Sequence, residues 1–429
     1  MQLIKGNSLK KILSNSLWML FDKFFILALN LIVTVKIANY YGSNDYGIYE
    51  YAVSVVALFE MLVTFVDGRV IKKRYISGNP QELVWTATIT RLLFSFICFI
   101  GGVAYLFLSE NSYEYNVVFL ILLINAIVIN LRFGMQNRYE YLLKSKKVII
   151  ASNLALTIGG VLQLLAVHYH LPITYIALIT SISSCISLTI VYIQYKIEFG
   201  QLFFKKIDKT LIKNILLEST PLAVAASCAI IYSRCGTIMI GNLLSKSDVG
   251  IYAISVKLLT IVQIGIAPIR ESVYPKLIEL YNKNREQYAQ KYIQITAITT
   301  WLYIVVVLSS FLILPFAFTF LNQEYSKAFP IYQVAVLSSF FMYNAALRAG
   351  HYTLINRGSV LMYSQIASVI INVVLNYVLI KYIGIYGAAV STVITQGISL
   401  HLSNLCFGKV GIEVFKWQML AMNPIRIIR

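Results

Sequence analysis

Charge is what this chain has least of. Only 13% of its 429 residues are Asp, Glu, Lys or Arg, whereas a soluble domain carries about a quarter. Water-facing surface needs charge, so most of this chain's surface is not built for water. Acidic residues are the scarcest, 18 against 36 basic ones. In a soluble protein that imbalance would raise nucleic-acid binding, but no RNA- or DNA-binding motif is present, and no nucleic acid is expected as a partner. Histidine is rare. His168 and His170 flank Tyr169 without a third metal ligand, which reads as a polar loop. His351 and His401 read as hydrogen-bonded structural residues. The five cysteines (Cys98, Cys185, Cys228, Cys235 and Cys406) all sit in apolar stretches. Their spacing matches neither a zinc site nor a disulfide framework, so they read as small buried hydrophobes. The sequence also lacks G-x-S-x-G, H-E-x-x-H, a P-loop and G-x-G-x-x-G. No polar region is large enough for a catalytic domain. Neither an enzyme nor a cofactor is expected.

Hydrophobic sequence fills the place of the missing charge. Apolar residues make up 58% of the chain and the mean hydropathy is +0.72. Nearly all of it is cut into stretches of spanning length, since a helix needs roughly 20 apolar residues to cross about 30 Å of hydrocarbon. The candidate spans are 12–38, 46–66, 83–108, 116–136, 148–167, 173–195, 216–240, 249–270, 292–320, 329–350, 360–381 and 385–407. The fold class is therefore an all-α integral membrane protein of about twelve transmembrane helices. The first apolar stretch carries Asp22 and Lys23 and has no cleavage site after it, so it reads as an uncleaved first helix.

Orientation follows from the basic residues. With the N-terminus inside, 26 of the 36 Lys and Arg fall in inside segments and only Lys246, Lys327 and Lys381 fall in outside loops. Cytoplasmic loops carry excess Lys and Arg, so both termini are expected in the cytoplasm. The split also favours an even helix count, because a missed helix would reverse every later loop.

The chain contains an internal repeat. Asp45-Tyr46-Gly47-Ile48-Tyr49 opens the second span and Asp248-Val249-Gly250-Ile251-Tyr252 opens the eighth, 203 residues later. Six helices per half is even, so both halves start on the same side and are related by an axis along the membrane normal. The expected organisation is a half at 1–195, a basic cytoplasmic linker at 196–215, a half at 216–407 and a short tail at 408–429. In the tail, 411–421 reads either as an amphipathic surface helix with Lys416 and Trp417 at the interface or as an unstructured segment.

Charges inside spans are the residues to watch, because each must face a bundle interior or a wet cavity. Asp22 and Lys23 lie about 15 Å into the first helix, near the midplane. Glu60 is in the second span, Arg91 in the third, Arg234 in the seventh and Lys257 in the eighth. Lys36, Arg132, Arg270 and Arg348 lie nearer span ends, where snorkelling explains them. Asp22 and Glu60 can neutralise Lys23 and Arg91 internally, or they can serve function. The outer halves of the seventh and eighth spans hold no acid except Asp248, so Arg234 and Lys257 favour an anionic ligand. The tyrosines at span ends, among them Tyr40, Tyr41, Tyr46 and Tyr49, read as an interface belt.

This pattern resembles the polysaccharide transporter branch of the MOP flippase superfamily, which includes the Wzx-type O-antigen flippases. The resemblance rests on several features taken in order. They are the two D-x-G-I-Y motifs, Tyr41-Gly42, Asp67-Gly68, Ile238-Met239-Ile240-Gly241, Pro275 and Glu324-Tyr325. To these is added the run Asn372, Asn376, Gly384-Ile385-Tyr386-Gly387-Ala388-Ala389. The chain departs from it at Tyr232-Ser233-Arg234-Cys235-Gly236, where many members carry an Asp and this chain has no acid. The resemblance implies a flippase that moves an undecaprenyl-diphosphate-linked oligosaccharide from the inner to the outer leaflet of the bacterial plasma membrane. It also implies a cavity lined by the first, second, seventh and eighth helices. The expected cationic site is Lys23, Lys36, Arg91, Arg234, Lys257 and Arg270, with Asp22 and Glu60 as coupling or structural acids. Expected partners are the lipid-linked diphosphate and the bilayer, with a polysaccharide polymerase and a chain-length regulator as candidates. Two other functions compete: a multidrug or metabolite cation antiporter, which should favour acidic sites, and a membrane glycosyltransferase or polymerase, which should show a large outer loop.

Overall fold

A computed structural model describes the backbone of residues 6–76, 78–201 and 208–427, and side chains from residue 25 onward except 28 and residues outside those ranges. Asp22 and Lys23 therefore lie outside the residues whose side chains are described. The described residues form helices and no strand. In chain order these are α1 (Gly6–Glu60), α2 (Gly68–Arg74), α3 (Pro80–Leu108), α4 (Tyr113–Leu131), α5 (Phe133–Tyr141), α6 (Ser145–His168) and α7 (Thr174–Phe199). They continue as α8 (Lys209–Leu243), α9 (Lys246–Gln263), α10 (Ile266–Lys283), α11 (Arg285–Phe318), α12 (Ala328–Ala335), α13 (Leu337–Asn344) and α14 (Arg348–Leu354). The last three are α15 (Gly358–Ile383), α16 (Ile385–Leu400) and α17 (Gly408–Leu420).

Helix starts follow local chemistry. Asn79 accepts a hydrogen bond from the Gln81 amide with Pro80 at the first helical position, Ser112 accepts from Tyr115, and Asn284 accepts from Glu286 and Gln287. Each cap satisfies amides that have no partner within the helix.

Nine segments among the described residues are long and apolar enough to span a membrane. They take in ten of the twelve predicted spans, because α1 carries the first two. A kink at Gly42 (φ 72°, ψ 177°) divides α1 where the sequence suggested a loop. The other two predicted spans are interrupted helices. Span 329–350 is broken into α12, α13 and the start of α14, with the Ser338 hydroxyl donating to the Ala335 carbonyl at 2.6 Å. Span 385–407 is α16 followed by a 3-10 segment, Leu402–Phe407. An apolar run reports burial in lipid, whereas helix continuity depends on which side chains bond the backbone.

The chain divides into two compact units, one of Met1–Tyr41 with Ile48–Ile230, the other of Gly42–Gly47 with Ile231–Arg429. In the first, Ile71, Val84, Ala87, Tyr139, Ala151, Val191 and Tyr195 form a buried core where α2, α3, α5, α6 and α7 meet. In the second, Leu277, Tyr288, Tyr292, Tyr352, Val414 and Trp417 form a core that joins α10, α11, α14 and α17. Trp417 is only 8% exposed, so it anchors α17 to this core rather than sitting at the lipid interface. Gln418 completes the docking. It is fully buried, accepts from Asn404 at 2.9 Å and donates to the Leu400 carbonyl at 3.1 Å.

Candidate functional site

The repeated motif builds the best-defined constellation, and it lies wholly within the second unit. At the Gly42 kink the backbone adopts a left-handed φ that glycine tolerates and side chains resist. The helix restarts at Ser43, whose amide would otherwise lack a partner. That amide donates to Glu324 Oε2 at 2.9 Å, and the Ser43 hydroxyl donates to the same oxygen at 2.7 Å. Ser43 Oγ also lies 2.6 Å from Ser247 Oγ. Ser43 has spent its single hydroxyl proton on the carboxylate, so Ser247 is the donor in that contact. A carboxylate at a helix N-terminus is favoured by the partial positive charge there. Glu324-Tyr325 was legible as a motif, but its role as a cap 281 residues from its partner was not. At the second copy, Ser245 accepts from the Asp248 amide at 3.1 Å and donates to the Asp248 carboxylate at 2.7 Å.

The two motif copies touch reciprocally. A Cβ on Gly47 would overlap the carbonyl oxygen of Lys246, and a Cβ on Gly250 would overlap the carbonyl oxygen of Ser43. Position 246 is 43 advanced by 203, and 250 is 47 advanced by 203, so each contact is the image of the other. Only glycine lets two helix backbones approach this closely.

The predicted charged site residues divide between the units. Lys36, Glu60 and Arg91 belong to the first, and Arg234, Lys257 and Arg270 to the second. Lys36 and Arg270 are exposed, whereas Glu60, Arg91, Arg234 and Lys257 are half-buried. Arg91 bonds neutral oxygens: its guanidinium donates twice to the Val66 carbonyl, at 3.2 and 3.0 Å, and once to Asn130 Oδ1 at 3.1 Å. It also lies 3.4 Å over the Phe133 ring. Arg91 thus satisfies the Val66 carbonyl, just beyond the Met61–Phe65 3-10 turn. The Lys257 ammonium lies 5.2 Å from the centre of the buried Tyr46 ring, so the first motif supplies a π-face to a cation nine residues beyond Asp248. Among the described residues, Arg234 makes no hydrogen bond or ion pair.

Two arginines read as snorkelling are held inside instead. Arg348 is 4% exposed and donates to Asn404 Oδ1 at 2.7 Å, Ser364 Oγ at 2.9 Å and Ser403 Oγ at 3.1 Å. Arg132 donates to Ser152 at 3.0 Å and to Ser187. Their places near span ends did not reveal this, because the partners come from other helices. The predicted structural role of the histidines holds. His351 Nδ1 shares a hydrogen bond with the Tyr288 hydroxyl at 2.7 Å, and His401 Nε2 with Asn344 Oδ1 at 2.7 Å.

Chains with the same fold are known membrane transporters. The lipid II flippase MurJ in an inward closed conformation superposes with a TM-score of 0.71 at 13% identity, over 95% of this chain and 90% of that one. An inward-facing multidrug resistance MATE family transporter of the MOP superfamily gives 0.66 at 14% identity, over 95% and 94%. A MOP superfamily transporter from Pyrococcus furiosus, described as having a binding pocket of reverse polarity, gives 0.58 at 12% identity, over 98% and 99%. The chain therefore has the MOP flippase fold. Residues 8–281 match the model of the polysaccharide biosynthesis protein family, and the chain belongs to that family. No curated protein matches it by sequence.

Proposed function

We propose that this protein is a flippase that carries a polyprenyl-diphosphate-linked oligosaccharide, such as an O-antigen repeat unit, from the inner to the outer leaflet of the bacterial plasma membrane. The observation that carries the reading is Arg234. It is a half-buried cation in an apolar helix with no carboxylate or hydrogen-bond acceptor among the described residues. A guanidinium held where water is scarce favours an anionic partner, and a diphosphate offers one in bidentate geometry. Membership of the polysaccharide biosynthesis family supports a glycan as the cargo. On the positive-inside assignment both termini are cytoplasmic and the crossing of the two glycine motifs faces outward. That crossing is then the closure that parts to release the glycan. The two halves, 1–195 and 216–407, are the repeats of the transporter.

Replacing Arg234 or Lys257 with Gln tests the reading. In a null strain, each variant should insert at normal abundance yet restore little surface polysaccharide. Full polysaccharide from both variants would assign these cations a structural role and refute the site. A cation antiporter of the multidrug kind is the second reading, because its relatives share the fold. It predicts export of cationic dyes, which a site built around Arg234 would repel.

A further inference from the structure

At the far end of the first unit, α5, α6 and α7 bring their ends together around an unbalanced set of charges. Glu198 accepts from both Lys144 and Lys147, so one carboxylate serves two ammonium groups. Arg138, one turn before the end of α5, donates to a neutral phenol, Tyr195 Oη, at 2.8 Å. Its guanidinium lies 4.0 Å over the Phe199 ring. Lys147 lies 5.7 Å from the Tyr139 ring and Lys144 lies 6.0 Å from Phe199. The nearby Glu140 is engaged by Lys72 at 2.9 Å and by Gln136 at 2.9 Å. Three cations, one carboxylate and a buried aromatic floor thus make a positive surface whose members are held in place.

The turn beside it is strained in a telling way. α5 ends in a Schellman arrangement, with the Lys144 amide donating to the Tyr139 carbonyl at 2.8 Å and the Leu143 amide to the Glu140 carbonyl at 3.1 Å. That motif places its penultimate residue in the left-handed region, where Gly or Asn is the usual choice. This chain has Leu143 there, with φ of 56° and 66% of its surface exposed. Leu142 beside it is exposed, and so is Ile197 on α7 at 82%. A turn selected for stability alone would carry glycine; an outlier of this kind points to function. Exposed leucine side chains beside fixed cations match the boundary between acyl chains and an anionic headgroup.

We propose that the α5–α6 turn and the last turn of α7 form a binding site for an anionic phospholipid, with Arg138, Lys144 and Lys147 on its phosphate and Leu142, Leu143 and Ile197 among its acyl chains. Each cation at an anionic membrane surface contributes enough that losing all three weakens the site by about a hundredfold. The site stands whether or not the substrate proposed above is correct.

The test uses the full chain in neutral detergent and reads the thermal unfolding midpoint during titration with phosphatidylglycerol, phosphatidylcholine or inorganic phosphate. Lipid that binds only the folded state raises the midpoint by mass action. Phosphatidylglycerol should raise it, and neither of the others should at equal concentration. In the triple variant Arg138→Gln, Lys144→Gln, Lys147→Gln the half-saturating phosphatidylglycerol concentration should rise about a hundredfold. Leu143→Gly is the companion variant. It relieves the backbone, so its lipid-free midpoint should equal or exceed that of the parent chain, while its phosphatidylglycerol response falls. An undiminished response in either variant overturns the proposal. A response to inorganic phosphate as large as that to phosphatidylglycerol also overturns it, in favour of a soluble-anion site.

Discussion

Gly47→Ala and Gly250→Ala put the reciprocal contact under direct test. A Cβ needs at least 3.0 Å to its neighbour, and at both positions the obstruction is backbone rather than a movable side chain. The two helices must therefore separate, and the Ser43–Ser247 and Ser43–Glu324 hydrogen bonds, all between 2.6 and 2.9 Å, must stretch with them. Overpacking of this kind costs about 1–3 kcal/mol. A penalty of that size lowers the population of the crossed state by roughly 5- to 150-fold. Because the two contacts are images of one another, the single variants should cost about the same. The double variant should cost clearly less than twice either, because one separation relieves both clashes. The assay is a disulfide between Ser43→Cys and Ser247→Cys, whose side-chain oxygens are close enough for a bridge. Crosslinking should be near complete in the parent chain and strongly reduced in either alanine background, with membrane protein level measured alongside. Undiminished crosslinking in both alanine backgrounds would refute the close approach. Additive costs in the double variant would refute its reciprocity.

Other outcomes follow from the same geometry. Glu324→Ala removes the cap at Ser43 and should destabilise the crossing by about 1 kcal/mol, with Glu324→Gln retaining part of it; crosslinking of the same cysteine pair reads both. Arg348→Leu removes three buried hydrogen bonds, to Asn404, Ser364 and Ser403, and should lower the unfolding midpoint by the equivalent of about 1–3 kcal/mol. Arg348→Lys should rescue little of it, because one ammonium cannot reproduce the guanidinium fork. Reporter fusions after residues 112, 170 and 245 should read outside and after 145 and 208 inside; two reversed readings would sink the topology. Bound to its oxidised crosslink, the Ser43→Cys/Ser247→Cys protein should deliver no surface polysaccharide until reduced, and full delivery while crosslinked would show that this crossing does not need to open.

Much of this protein was legible in its sequence because lipid imposes local rules. Spanning length, the scarcity of charge, the expected siting of basic residues and the 203-residue repeat are each read within a window or between two windows. Those features led to the membrane class and the helical architecture, and the ordered short motifs led to the family. Ten of the twelve expected spans fall within apolar helices long enough to cross a membrane, because an apolar run must be buried wherever its helix goes.

Tertiary structure decided what becomes of the polar groups inside. Gly42 marks a kink rather than a loop because a carboxylate at position 324 caps the helix that restarts at Ser43. Arg348 stays in the interior because Ser364, Ser403 and Asn404 come to meet it from other parts of the chain. Trp417 leaves the interface because Gln418 finds Asn404 and the Leu400 carbonyl. Gly47 and Gly250 were visible as a repeated letter, but their mutual contact was not. A buried polar group needs a partner wherever one can be found, and the distance between partners in space is not written in their distance along the chain.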